Sequence, residues 1–389
     1  DRSENDPLII AGGPCATANP MPLSDYIDVF VIGEGEVTIN KFLDRYLENK
    51  NLDNLLDMDG IYIPEFNNNA KIALIDDMKN AYHITQPIIT KTDKEDYKTV
   101  FSDSIMLNVS RGCTRGCRFC MSSYLYRPLR ETTIKELVNI ALKTRENTNL
   151  NKITLIGAAV GDYYDLEGLT KALESEGFQI ATPSLRIDLL SRETLETLKK
   201  SGLKSITIAP ESISTLRERI NKSISDEKIF SVIKNAVDLD FNIKLYFLIG
   251  IPYESKEDIE ELANYIEKIA NMHKNRKYIK FSINPVIPKP QTPLQWEVYN
   301  FKEIKSKTRY LKKKLRKYNV KFESPKKGLI QYILSCGNRE VGALIEKSLT
   351  EEVTLKEWQS YLPNYNINDE LPWSKIDIGI KSNFLKTEN

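Results

Sequence analysis

Ser110-Arg111-Gly112-Cys113-Thr114-Arg115-Gly116-Cys117-Arg118-Phe119-Cys120 sets three cysteines at the spacing C-x3-C-x2-C, directly after the apolar run Ile105–Val109. Three thiolates this close grip three irons of a cubane cluster and leave the fourth iron open; a closed cluster or a structural zinc takes four ligands. No fourth Cys or His lies nearby, and His83 and His273 are the only histidines of the chain. Gly112 and Gly116 allow the tight backbone such a loop needs. Three unrelated loop cysteines, or a zinc site completed by a distant residue, explain neither the glycines nor the preceding strand. The expected metal ligands are Cys113, Cys117 and Cys120.

Outward from this loop, from residue 101 onward, apolar runs alternate with helical patterns. Strands are expected at Ile105–Val109, Ile153–Ile156, Phe178–Ala181, Ser205–Ala209, Lys244–Ile249 and Lys280–Ile283. Thr133 with Glu136 is a capping-box pattern ahead of the apolar face Ile134, Leu137, Val138, Ala141 and Leu142. A helix at about 191–200 is stopped by Gly202, and others lie near 226–240 and 255–272. Such alternation makes parallel sheets with right-handed crossovers. The expectation is an α/β fold whose residues 101–300 form a partial (β/α)6 TIM-like barrel, with chemistry at the C-terminal ends of its strands.

Residues 1–50 read as strand, glycine turn, strand, glycine turn, helix. Leu8–Ala11 ends in Gly12-Gly13-Pro14, and Val29–Ile32 ends in Gly33-Glu34-Gly35-Glu36 ahead of a helix over Thr38–Tyr46. This is the pattern of the last part of an open α/β unit, whose earlier strands are expected before Asp1. Residues 51–100 form a connector with short strands. In 301–389 a basic helix, Lys302–Lys317, precedes a helical region containing Trp358 and Trp373.

Lys+Arg 55 against Asp+Glu 54 gives a net charge of +1, so no global pull draws the chain to nucleic acid or an anionic membrane. No apolar run is long enough to span a bilayer. Five cysteines, three of them within the loop, are too few for a disulfide framework, so a reducing cytoplasm is expected. Cys15 and Cys336 stand alone and are read as buried packing.

The cysteine loop resembles that of the radical S-adenosylmethionine (SAM) superfamily, where it follows the first barrel strand. The resemblance implies a [4Fe–4S] cluster whose open iron chelates SAM, and reductive cleavage of SAM to a 5′-deoxyadenosyl radical. It also implies an electron donor such as ferredoxin or flavodoxin. Phe119 stands where an aromatic packs near adenine. Gly157-Ala158-Ala159 stands at the glycine-rich turn that meets the SAM amino group, although the usual terminal acidic residue is missing. By the same analogy Ser184, Arg186 and Glu211 bind ribose and carboxylate, unless Arg186 and Glu211 pair with each other at the rim, and Gly250 sits on the adenine turn.

The wider chain resembles the cobalamin-binding radical SAM group. Gly12, Gly13, Gly33, Glu34 and Gly35 are similar to its cobalamin-domain turns, and Tyr126-Arg127-Pro128, Ile208–Glu211, Leu245–Pro252, Pro288–Pro293, Gln331–Arg339 and Leu371–Asp377 fit the rest. No D-x-H-x-x-G segment marks a histidine as lower cobalt ligand. The arrangement looks most like the archaeal branch that includes the glutamine C-methyltransferase of methyl-coenzyme M reductase. That implies methylation of an unactivated sp3 carbon in a protein or peptide substrate. Tyr126 and Tyr163, with Tyr124 and Tyr164 beside them, are candidate proton-relay or gating residues at the barrel mouth, against rim packing as the plainer reading. Competing readings are a tRNA-modifying or other cobalamin-free radical SAM enzyme and a non-catalytic iron–sulfur carrier. The first would want a basic face, for which Lys312–Lys317 is the one candidate.

Overall fold

The computed structural model describes residues 6–389 except 91, 93, 95, 96, 98–100, 102, 182–185 and 201. At the N-terminus β1 (Ile10–Ala11) runs parallel to β2 (Val29–Val31), with α1 (Pro14–Ala18) between them. All three residues of β2 are buried, and the chain turns through Gly33 into α2 (Gly35–Glu48). β3 (Ile61–Tyr62) adds antiparallel to β2, while β4 (Ala70–Lys71) pairs with the distant β14 (Ile376–Asp377).

The next segment carries the barrel. β5 (Ile105–Asn108) is followed by a two-stranded ribbon, β6 (Ser110–Arg111) and β7 (Arg130–Glu131), whose loop contains the cysteines. Then come α3 (Ile134–Thr148), β8 (Lys152–Ile156), α4 (Leu166–Ser175), β9 (Gln179–Ala181), α5 (Arg192–Lys200) and β10 (Ser205–Glu211). After α6 (Ser214–Arg219) and α7 (Asp226–Asp238) the chain forms β11 (Asn242–Ile249), α8 (Lys256–Ala270) and β12 (Ile279–Pro285). The six expected strands are all present. The Thr133–Glu136 capping box forms as expected, and Ser255 with Asp258 makes a second one at α8.

Two features were not foreseen. A seventh parallel strand, β13 (Val320–Phe322), follows α9 (Phe301–Lys314) and pairs with β12. Among the described residues the strands form two parallel sheets, β5-β8-β9 and β10-β11-β12-β13, with no ladder joining β9 to β10. Each sheet has its own apolar core. Leu107, Leu137, Ile153, Leu155 and Leu169 pack together beneath the first. Ile208, Ile233, Leu245, Phe247, Ile266 and Ile283 belong to the larger core of the second, which continues into the C-terminal elements. In β11 alternate residues Ile243, Leu245, Phe247 and Ile249 enter that core, each contributing about 1.5–3 kcal/mol. Tyr246, on the opposite face, points into the barrel's interior cavity.

The C-terminal region contains α10 (Pro325–Cys336), α11 (Val341–Thr350), α12 (Leu355–Ser360) and α13 (Ser382–Glu388). Trp358 lies on α12 as expected. Trp373 does not lie on a helix: it is in the irregular stretch before β14, where its Nε1 donates to Gln295 Oε1 at 2.8 Å. The basic helix is α9, which ends at Lys314 rather than Lys317, and the lysines of this stretch are partly occupied, Lys314 with Glu260, Lys317 in the following turn with Glu267 and Lys312 over the Phe322 ring. Among the described residues no helix is long and apolar enough to cross a membrane.

Candidate functional site

The three loop cysteines line one wall of a cavity of about 240 Å³ at the C-terminal ends of β8 and β10. Phe119, Ala158, Arg186 and Glu211 line it with them, so seven of the expected residues converge here. Gly157 lies beside it, and a Cβ there would come within 2.7 Å of Ser110 Oγ, which requires the bare backbone. Ser184 falls outside the described residues.

The loop is held by its own neighbours. Gly112 and Gly116 have φ of 85° and 67°, and a side chain on Gly112 would strike the Tyr126 and Pro128 carbonyls. The Gly116 carbonyl accepts from the buried Tyr124 hydroxyl at 2.9 Å and from Asn221 Nδ2 at 3.0 Å. Tyr124 is thus a brace for the cluster loop. Tyr124→Phe is expected to cost about 0.5–1.5 kcal/mol. The check is a lower urea midpoint together with faster iron loss to a chelator; an unchanged midpoint would remove the brace from the account.

The thiols suit an iron cluster. Burial pushes the Cys117 thiol up to about 11, against the pull of Lys222 and Arg186. A thiolate in this cavity therefore needs more positive charge than the side chains supply, and bound iron provides it. No three His, Cys, Asp or Glu side chains among the described residues close on a single ion. A cubane instead spreads its three thiolates over three irons. Cys113, Cys117 and Cys120 would hold those irons, and a reduced cluster bound there would supply the electron for reductive cleavage of SAM.

Charged residues missed in the sequence complete the walls. Arg115 makes a two-pronged ion pair with Asp162, 2.8 and 2.6 Å, and approaches Asp188 at 3.7 Å. Arg186 binds Asp188 at 3.0 and 2.9 Å and lies 3.7 Å from Asp162. Burial alone would raise the Asp188 carboxyl, but the bonds and charge of Arg186 hold it below its ordinary value. Glu211, with a left-handed φ of 69°, accepts from Lys222 Nζ at 2.6 Å. So Arg186 and Glu211 do not pair with each other: Arg186 has Asp188 and Glu211 has Lys222. Arg115 within the cysteine loop and Asp162 just past a strand end were the sequence signals for this network; Lys222 had none.

Other expected residues lie elsewhere. Gly250, with φ of 79°, packs against Ile304 and lines a separate, larger cavity. Tyr163 is buried in the core of the first sheet and its hydroxyl donates to the Thr132 carbonyl at 2.6 Å, so it is a packing residue rather than a relay. Tyr126 packs half-buried against the main core, outside the cysteine cavity, and burial raises its hydroxyl pKa. Tyr164 is exposed, with its ring 4.6 Å from that of Tyr163. Cys336 is buried as expected, with its thiol pushed up to about 12 by burial; Cys15, contrary to expectation, is exposed.

The N-terminal turns divide. Gly13, with φ of 90°, has nothing within 4 Å of an added Cβ, and Gly12 touches only Val31. At Gly33 a Cβ would lie 2.1 Å from the Ala73 carbonyl oxygen, so this glycine serves the approach of the 70–75 segment. Glu34 is committed too. It accepts from Arg130 at 2.8 and 3.1 Å and from the Ile75 amide at 2.8 Å, and lies 3.4 Å from Arg111, which also binds Glu36 at 2.7 Å. Gly35 opens α2. Arg111 and Arg130 face each other across the β6–β7 ribbon, and Arg111 stands two residues before Cys113. The Gly33–Glu36 turn is thereby docked onto the base of the cysteine loop.

Comparison with known proteins agrees with this geometry. The profile described as radical SAM superfamily matches residues 107–266, and that of radical SAM proteins, N-terminal, matches residues 1–64. An uncharacterised protein of Methanocaldococcus jannaschii is 33% identical over 365 residues, covering 90% of this chain and 76% of that protein. An uncharacterised methyltransferase of Pyrococcus horikoshii is 24% identical over 301 residues, 75% of this chain and 62% of its own length. Among solved structures, the radical SAM methyltransferase TsrM from Kitasatospora setae, with cobalamin and a [4Fe–4S] cluster bound, superposes with a TM-score of 0.57 at 12% identity. That match covers 75% of this chain and 59% of TsrM. The chain thus spans under two thirds of the latter two proteins. With three cysteines converging on one cavity at the strand ends, and the family profile running from the first barrel strand into α8, the chain belongs to the radical SAM superfamily.

Proposed function

We propose that this radical SAM enzyme is a cobalamin-dependent methyltransferase acting on an unactivated sp3 carbon of a protein substrate, as the resemblance to the methyl-coenzyme M reductase glutamine C-methyltransferase branch implies. The observation that carries the reading is the docking of the N-terminal unit onto the cluster loop through Glu34, Arg111 and Arg130. Methyl transfer to a substrate radical needs both cofactors within reach of one carbon. A rigid ion-paired joint between the two units supports that. The open Gly12–Gly13 turn, and not the filled Gly33 turn, is where backbone is free to approach a corrin. The names of the Pyrococcus and Kitasatospora proteins point the same way. The barrel's share of the work is to position SAM and exclude water, with Arg115, Arg186, Lys222 and Glu211 as charged groups that line the cavity with the cysteines. A reducing compartment and a ferredoxin- or flavodoxin-type donor fit the three thiolates.

The test is the corrinoid content of the protein purified without oxygen from cobalamin-fed cells, beside iron and sulfide. Near-stoichiometric corrinoid is expected. Iron and sulfide without corrinoid would overturn the methyltransferase reading and leave a cobalamin-free radical SAM enzyme.

A further inference from the structure

The loop that joins β6 to β7 carries three arginines beside its three cysteines: Arg115, Arg118 and Arg127. Two of them are neutralised where they stand. Arg115 pairs with Asp162, and Arg118 pairs with Glu388 at 3.3 Å. The cations of the cavity wall are answered as well, Arg186 by Asp188 and Lys222 by Glu211. Arg127 differs. It is half-buried, it has no ion pair or side-chain hydrogen bond among the described residues, and its Nε is buried without a partner.

What holds Arg127 is a ring. Its Cζ lies 5.3 Å from the centroid of the buried Tyr124 ring. A ring face attracts a guanidinium through its quadrupole but has no net charge, so this contact leaves the positive charge uncompensated. The geometry also fixes where that charge acts. A Cβ on Gly116 would lie 3.2 Å from Arg127 Nη2, so the guanidinium rests against the loop backbone one residue before Cys117. The Tyr124 hydroxyl, 2.9 Å from the Gly116 carbonyl, reports the same neighbourhood. Burial raises its pKa; of the charges that act on it, Arg127 lowers it, whereas Glu388 and Cys117 raise it. Glu388 is the acid already bound to Arg118. Gly116 and Tyr124 are both buried, so the surroundings they share with Arg127 and Cys117 are protein rather than water, and screening there is weak.

We infer that Arg127 is a positioning residue of an electrostatic kind: an uncompensated cation against the cysteine loop that raises the reduction potential of the cluster. Reduction moves one electron from an external one-electron donor onto the cluster, which Cys113, Cys117 and Cys120 already make negative through their thiolates. Net charge is one of the factors that set an iron–sulfur potential. A cation at this place stabilises the reduced form more than the oxidised one, so a weaker donor suffices to load the electron that SAM cleavage consumes. The inference goes beyond the methyl-transfer reading. It needs the cluster and not the corrinoid, so neither can fail through the other.

The experiment is a potentiometric titration of the full cluster-loaded chain with dithionite and mediator dyes, without SAM, read by the electron paramagnetic resonance of the reduced cluster. At the potential where half of the parent's clusters are reduced, Arg127→Met is expected to show a reduced-to-oxidised ratio about tenfold lower. For a one-electron couple that is a midpoint about 59 mV more negative. Arg127→Lys keeps the charge and should stay within about twofold of the parent. Glu388→Gln leaves Arg127 untouched and unmasks Arg118 on the same loop, so its ratio should rise about twofold or more. An unchanged midpoint in Arg127→Met would overturn the inference, and so would an equal fall in Arg127→Lys, which would point to packing instead of charge. Glu388→Gln keeps the test open if Arg127→Met fails to hold its cluster: no rise there would overturn the charge account on its own.

Discussion

Replacing Cys117 by serine is expected to strip the iron cluster and abolish 5′-deoxyadenosine formation from SAM under strong reduction. Cys117 sits in the middle of the three-thiol wall, buried, with Lys222 and Arg186 near enough to favour its thiolate. A serine hydroxyl is a far weaker iron ligand, and here no fourth thiol stands by to replace the lost one. Iron should fall from about four atoms per chain toward none, with deoxyadenosine at background. Cys15→Ala is the matched control, because Cys15 is exposed and apart from the cavity; it should keep both. Retained deoxyadenosine formation in Cys117→Ser would sink the assignment of the cluster site.

The second large effect is on stability. Glu34→Gln leaves Arg130 buried without its anion, the two side chains being 4% and 6% exposed. Breaking one side of such a pair costs about 3–5 kcal/mol, because the remaining charge stays out of water. A denaturant midpoint well below that of the parent is the expected readout. The double variant Glu34→Leu/Arg130→Met should recover only part of the loss. It removes both charges, but it also leaves the Ile75 amide and carbonyl without the partners that Glu34 and Arg130 provide. Full recovery, or a Glu34→Gln midpoint equal to the parent's, would show that the joint is not held by this pair.

The contrast between what could and could not be read in the sequence follows from the range of the interactions. Strand ends, capping boxes and the cysteine spacing depend on residues within a turn or two of one another, and those were legible. Glu34 was not. Its position beside two glycines suggested a cofactor turn, yet its partners are 77 and 96 positions away on a ribbon that only the fold brings close. Tyr163 looked like a residue of the barrel mouth until the Thr132 carbonyl was found taking its hydroxyl. β13 escaped because three residues, Val320-Lys321-Phe322, are too short and too mixed to signal a strand without a neighbour to pair with. In the site itself, Phe119, Ala158, Arg186 and Glu211 were placed by resemblance, whereas Lys222 follows a left-handed Asn221 that no local pattern announces.

The two sheets of the barrel have further consequences. Across the join between β9 and β10 no backbone ladder runs among the described residues, and what spans it is apolar: Ile187, Leu190, Leu195 and Leu198, from the chain between the two strands, pack in one core with Ile206 and Ile208 of β10, while the ion pairs of Arg115 and Arg186 with Asp162 and Asp188 tie together the loops after β5, β8 and β9. Close-packed apolar cores resist deformation at any ionic strength. Partly exposed ion pairs weaken as salt shortens the reach of charge, to about 8 Å at physiological strength and about 3 Å at molar salt. The barrel therefore has two kinds of stiffness. Within each half and across their join it is set by packing; in the loops beside the cysteines, where Arg115 and Arg186 meet Asp162 and Asp188, it responds to the salt of the solution.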